Sequence, residues 1–108
     1  MNPRFSSPDQ LAALCREHRV DRLYLFGSAA TDRFDEASSD FDFLVAFADQ
    51  PPVAYAENYL AFADALETMS GRPIHLVTEK SMRNPYFKTS VLASRQLLYD
   101  RREQEAVA

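Results

Sequence analysis

Residues 25–45 read LFGSAATDRFDEASSDFDFLV, and their reading decides the fold. An apolar run ending at Phe26 breaks at Gly27-Ser28, a polar stretch follows, and a second apolar run carries Asp40 and Asp42 at its mouth. Charged groups at the edge of a core need partners or a metal ion, because an unpaired buried charge destabilises a fold. Side chains alternate along a strand, so Asp40, Asp42 and Leu44 share one face while Phe41, Phe43 and Val45 share the other. Two carboxylates on one face can converge on a hard divalent cation. Mg²⁺ takes oxygen ligands, keeps several waters, and is often held by one or two carboxylates plus substrate phosphates. Gly27-Ser28 supplies the complementary half. It sits at a strand end before Ala29-Ala30, which can open a short helix, and free N–H groups at a helix start favour phosphate. Glycine lets the backbone approach the phosphate closely, and the serine hydroxyl adds a donor.

Outward from this stretch, the chain alternates helix and strand. Ser7-Pro8-Asp9-Gln10 is a helix start with a capping box, followed by Leu11, Leu14, Cys15 and His18 on one helical face. Arg22 to Phe26 (RLYLF) is apolar on both faces and reads as a strand internal to a sheet. Thr31 to Ser39 reads as a polar loop and Phe41 to Phe47 as the second strand. Gln50-Pro51-Pro52 punctuates, and a long helix is expected from about Val53 to Met69, burying Tyr59, Leu60, Phe62, Ala63, Leu66 and Met69. Gly71 terminates it. Pro73 to Thr78 (PIHLVT) is a third strand. Asn84-Pro85 opens another helix with Phe87, Val91 and Leu92 inward, and Gln96 to Tyr99 closes with a short strand. The order is α-β-(α)-β-α-β-α with a fourth strand, an α/β layer pair. One domain over 1–100 is expected, with 101–108 a charged, frayed tail.

Composition excludes several classes. Sixteen acids against 12 bases give a net charge of −4, whereas a protein gripping nucleic acid by its backbone normally carries a basic surplus, so nucleic acid is not an expected partner. Cys15 is the only cysteine, which excludes an internal disulfide and suits a reducing compartment; within its apolar helical pattern it reads as a buried, inert thiol. The first residues lack the apolar core of a signal peptide, and no stretch has the length of a membrane span, so a cytoplasmic protein without membrane contact is expected.

A Gly-Ser after an apolar strand, eleven intervening residues, then Asp40-Phe41-Asp42 opening a second strand resembles the DNA polymerase β-type nucleotidyltransferase superfamily. Within it, the chain is most similar to the minimal nucleotidyltransferases, the MNT proteins often paired with HEPN-domain partners. The resemblance spans roughly Leu11 to Tyr99 and includes the half reading RPIHLVT…NPYFKTSVL…QLLYD. It implies a small mixed β-sheet with helices mainly on one face. It also implies transfer of a nucleoside monophosphate, AMP from ATP (another NTP being open), to an acceptor hydroxyl. Gly27, Ser28 and Arg33 would contact the phosphates, and Asp40 and Asp42 would hold Mg²⁺ or Mn²⁺. By the same resemblance the acceptor belongs to a HEPN-type toxin, with this chain as antitoxin; an oligomer is left open.

The pattern departs from the family in two places. Catalytic members usually carry a third carboxylate on the next strand, where this chain has His75. Neutral imidazole is a poorer Mg²⁺ ligand than carboxylate. His75 is read first as a strand histidine at the rim of the site, second as a general base, third as a metal ligand. After Gly27-Ser28, arginines and a further glycine give way to Ala29, Ala30, Thr31 and Asp32, leaving Arg33 as the one nearby base. Both departures point to weakened transfer, or to the rival reading of a degenerate, non-catalytic module that acts by contact with its partner.

Overall fold

A computed structural model of the chain describes residues 8–27 and 40–103. Its elements are α1 (Pro8–Glu17), β1 (Val20–Phe26), β2 (Phe41–Phe47), α2 (Pro52–Ser70), β3 (Ile74–Thr78), α3 (Pro85–Ser94) and β4 (Gln96–Asp100), with a 3₁₀ turn at Glu79–Ser81. The four strands form one sheet in the order β3-β2-β1-β4. β1 pairs antiparallel with both neighbours, while β2 and β3 run parallel. A parallel pair needs a crossover, and α2 is that crossover. β1 is internal to the sheet, as its apolarity on both faces requires.

The helix ends follow local chemistry. Asn84 accepts hydrogen bonds from the N–H groups of Tyr86 and Phe87 through its side chain and so caps α3, with Pro85 at the first helical position. Gly71 ends α2 in the left-handed conformation at φ 72°, and its N–H donates to the Glu67 carbonyl. The Ser7 cap, the Ala29-Ala30 helix, the 31–39 loop and the tail beyond 103 lie outside the described residues. Residues 101–103 continue β4 as a helical turn, where Arg101 Nε lies 3.1 Å from Asp21 Oδ1.

The sheet separates two cores of unequal size. On one face Phe41, Phe43, Val45 and Phe47 of β2 pack with Leu23 and Leu25 against Leu11 and Cys15 of α1 and Phe62 and Leu66 of α2. Phe47 packs edge-on to Tyr55, Tyr59 and Phe62. Cys15 is fully buried, and burial pushes its thiol up to about 12, so it stays an un-ionised, inert group. On the other face a smaller cluster of Phe26, Leu44 and Val91 lies beneath α3.

Two helix positions differ from expectation. Leu60 is 68% exposed and Leu92 46%, although the sequence pattern turned both inward, whereas Phe87, part-exposed, packs its ring edge-on against Phe26 of β1 as expected. α2 and α3 carry apolar residues around most of their circumference, so periodicity leaves the inward stripe under-determined. Phe62 and Leu66 on α2 and Val91 on α3 are the helix residues buried completely against the sheet. Among the described residues, no helix is long and apolar enough to cross a membrane.

Candidate functional site

β2 begins by alternating Phe41 into the large core and Asp42 onto the α3 face. Register then builds a row across the sheet: Phe26 of β1 faces Asp42 of β2, which faces His75 of β3. Asp40, one residue before the strand, is directed to the same face, and its Oδ2 lies 3.1 Å from His75 Nε2. With its proton on Nε2, the imidazole donates to this carboxylate. Both partners are open to water, with side chains 63% and 41% exposed, so the contact orients more than it stabilises.

Gly27 closes the row from the β1 side. Its φ is 71°, a left-handed conformation that glycine adopts without strain. A Cβ at this position would lie 2.6 Å from Asp42 Oδ2. The carboxylate therefore sits directly against the backbone of the strand-ending turn, which only a residue without a side chain allows. The Gly27 N–H is directed towards Ser94 Oγ at the end of α3, 3.5 Å away.

Asp42 is half-buried, and its carboxyl is raised above the ordinary aspartate range. Burial is the leading cause; the nearby His75 opposes the shift and the like charge of Asp40 adds to it. The fold thus holds a carboxylate where burial makes its charge unfavourable.

The structure brings together four of the six residues picked out from the sequence: Gly27, Asp40, Asp42 and His75. Ser28 and Arg33 lie outside the described residues. Among the described residues, no group of three or more His, Cys, Asp or Glu is arranged to hold a metal ion. What the chain offers is a carboxylate pair, with His75 engaged by Asp40. That donor set fits Mg²⁺, whose remaining positions go to water and phosphate, and it does not fit a second, fully protein-held cation. Ser94 was not legible as a neighbour of Gly27, since 67 residues separate them and a serine near a helix end carries no distinguishing pattern.

Comparison with known proteins bears on this arrangement. Residues 8–98 match the family model described as "Nucleotidyltransferase domain". The chain belongs to the nucleotidyltransferase family. A Methanocaldococcus jannaschii protein described as a candidate protein adenylyltransferase is 36% identical over 75 residues, covering 69% of this chain and 73% of the relative. Among solved structures, a chain of a toxin–antitoxin complex with AMP-PNP superposes with a TM-score of 0.65 at 21% identity, covering 94% of this chain and 79% of that one. A chain of the tri-AMPylated Shewanella oneidensis HEPN toxin in complex with MNT antitoxin superposes at 0.54 with 21% identity, covering 93% and 75%. At such identities the structural likeness speaks for the nucleotidyltransferase fold, and the family model and the archaeal relative for membership. The small mixed sheet expected from the Gly27-Ser28 and Asp40-Phe41-Asp42 pattern is the fold observed.

Proposed function

We propose that this nucleotidyltransferase-family protein transfers AMP from ATP to a hydroxyl on a protein partner, and that the partner is a HEPN-type toxin held in check by the modification. The observation that carries the proposal is the convergence of Asp40 and Asp42 with the left-handed Gly27 turn on one sheet face. The candidate adenylyltransferase relative supports AMP as the transferred group, and the likeness to chains of toxin–antitoxin complexes supports the partner class.

In this reading Gly27 presents its backbone N–H to a phosphate oxygen, exchanging the contact with Ser94, and Ser28 and Arg33 add a hydroxyl and a cation to the same phosphates. Asp40 and Asp42 hold Mg²⁺ (Mn²⁺ would serve), which when bound supplies neutralisation of phosphate charge. The acceptor oxygen forms its bond to the α-phosphorus as the bond to the bridging oxygen of pyrophosphate breaks, and the acceptor proton leaves to water or to His75. The chain's contribution is positioning and charge placement rather than covalent chemistry. His75 keeps Asp40 oriented but supplies no third carboxylate, so transfer is expected to be slow. One minimal nucleotidyltransferase domain over residues 1–100 would carry all of this in the cytoplasm.

The test is incubation of the chain with α-labelled ATP, Mg²⁺ or Mn²⁺ and a purified HEPN-type protein encoded beside it. Label should appear on that protein with the wild type and vanish with Asp42→Asn. Wild type that leaves the partner unlabelled yet still binds and silences it would reject transfer in favour of contact alone.

A further inference from the structure

On the face of the sheet away from Asp42, α2 and the edge strand β3 leave between them an open groove of about 450 Å³, floored by Tyr55, Tyr59 and Leu76 and rimmed by Ala56, Leu60 and Thr78. β3 is the last strand of the sheet, so no described strand covers its outer side. Above the groove, the solvent side of α2 carries Val53, 72% exposed, and Leu60, 68% exposed, one heptad apart on the same helical face. Exposed apolar side chains aligned beside an apolar groove are the mark of an interaction surface rather than of scattered surface residues.

Charge selects the occupant. α2 carries three acids, Glu57, Asp64 and Glu67, and not one Lys or Arg. All three are exposed and none pairs with a described cation. By helical spacing they lie within about 40° of the Val53–Leu60 line. A second copy laid on this face would set acid against acid in a chain that is already net negative. An added β-strand is disfavoured too, because the Tyr59 hydroxyl already donates to the Leu76 carbonyl on β3. We infer that the α2–β3 groove is a docking site for an amphipathic helix of a partner protein, apolar along its inward stripe and flanked by Lys or Arg.

The groove lies on the opposite sheet face from Asp42 and His75, and Thr78 marks the far end of β3 from them. A partner helix seated there leaves the carboxylate face open for another segment of the same partner. The docking site thus rests on the partner-directed transfer proposed above for its partner, while the docking itself needs no nucleotide.

A synthetic helical peptide with leucines at i, i+3, i+4 and i+7 and lysine flanks, and a twin with glutamate flanks, are titrated against the ¹⁵N-labelled chain with ATP absent. The lysine peptide should shift resonances of α2 and β3, and weaken as salt is raised. Leu60→Asp should reduce its affinity more than about tenfold, as loss of a central apolar anchor does, with the fold retained because Leu60 is exposed. Glu57→Lys/Asp64→Lys should invert the preference between the two peptides. Both variants should bind ATP as the wild type does, and absence of AMP transfer by a wild type that docks the lysine peptide would count against the proposed function alone. Equal binding of both peptides, absence of binding, or binding untouched by Leu60→Asp overturns the docking site. So does a wild-type dimer in light scattering that Leu60→Asp dissociates, since the occupant is then a second copy.

Discussion

The two faces of β2 carry different kinds of side chain. Phe41, Phe43, Val45 and Phe47 alternate into the large core beneath α1 and α2, all at 7% exposure or less. The residues between them face α3, where Leu44 alone is fully buried and Asp42 stands half-buried with a raised carboxyl. One strand of seven residues therefore divides its duties by parity. The odd face supplies the apolar burial that holds the sheet, and the even face carries charge that burial opposes. A site can tolerate an unfavourable charge only where the opposite face over-determines the backbone that presents it.

The largest effect should come from the odd face. Phe43→Ala removes a fully buried ring between sheet and helices and is expected to cost about 3–5 kcal/mol, a large part of a total stability of roughly 5–15 kcal/mol. Val91→Ala in the smaller cluster should cost roughly 0.5–3 kcal/mol. Urea titrations of both variants would measure these, and a greater loss in Val91→Ala than in Phe43→Ala would break the division of labour.

Next in size is Gly27→Ala. A left-handed alanine costs about 1–2 kcal/mol, and its Cβ would press on Asp42 Oδ2 from 2.6 Å. The carboxylate must swing away, so ATP binding should fall along with the melting temperature. In an Asp42→Ala background the clash disappears and the conformational term remains, so Gly27→Ala should cost less there than in the wild type. An equal loss in both backgrounds would show that the contact with Asp42 carries no energy.

Much of this was legible in the sequence because it rests on parity and punctuation. Asp40, Asp42 and Leu44 on one face, the internal β1, the Asn84 cap and the Gly71 stop all follow from local rules that the chain obeys. Helix facing was less legible. Leu60 and Leu92 were expected inward, yet α3 covers only a small patch of sheet and α2 has more apolar residues than the sheet can cover. The contact between Gly27 and Ser94, and the engagement of His75 by Asp40, depend on register between distant segments. No spacing within either segment encodes that register.

Asp42→Asn separates the two faces in a third way, through pH. The folded carboxyl is raised above its unfolded value, mainly by burial, so the folded state binds the proton more tightly than the unfolded chain does. Stability therefore falls as pH rises from the ordinary aspartate value through the raised one, and the deficit persists at neutral pH. Asn carries no such penalty. Without divalent cation, Asp42→Asn should melt a few degrees above the wild type at pH 7, and the gap should close below about pH 3.9, where both forms are uncharged in either state. Mg²⁺-dependent ATP binding should be lost in the same variant. A lower melting temperature at pH 7 would instead mark Asp42 as a structural acid.

The smallest change in stability, and the sharpest statement about the even face, is expected from His75→Asp. His75 is exposed and touches Asp40 at 3.1 Å, so losing that contact should cost little, and without cation the melting temperature should fall only slightly, through the like charge added beside Asp40 and Asp42. The new carboxylate would stand beside Asp40 and across from Asp42, completing the three-acid pattern that the resemblance leads one to expect. If His75 serves only to orient Asp40, the variant should bind Mg²⁺ more tightly and transfer AMP faster than the wild type. If His75 takes the acceptor proton, tighter metal binding should come with slower transfer. Isothermal titration with Mg²⁺ and ATP, read beside labelled transfer to the partner, separates the two outcomes. The orienting role predicts that both quantities rise together, because the Asp40–His75 contact leaves the carboxylate pair in place while adding no negative charge to hold a cation.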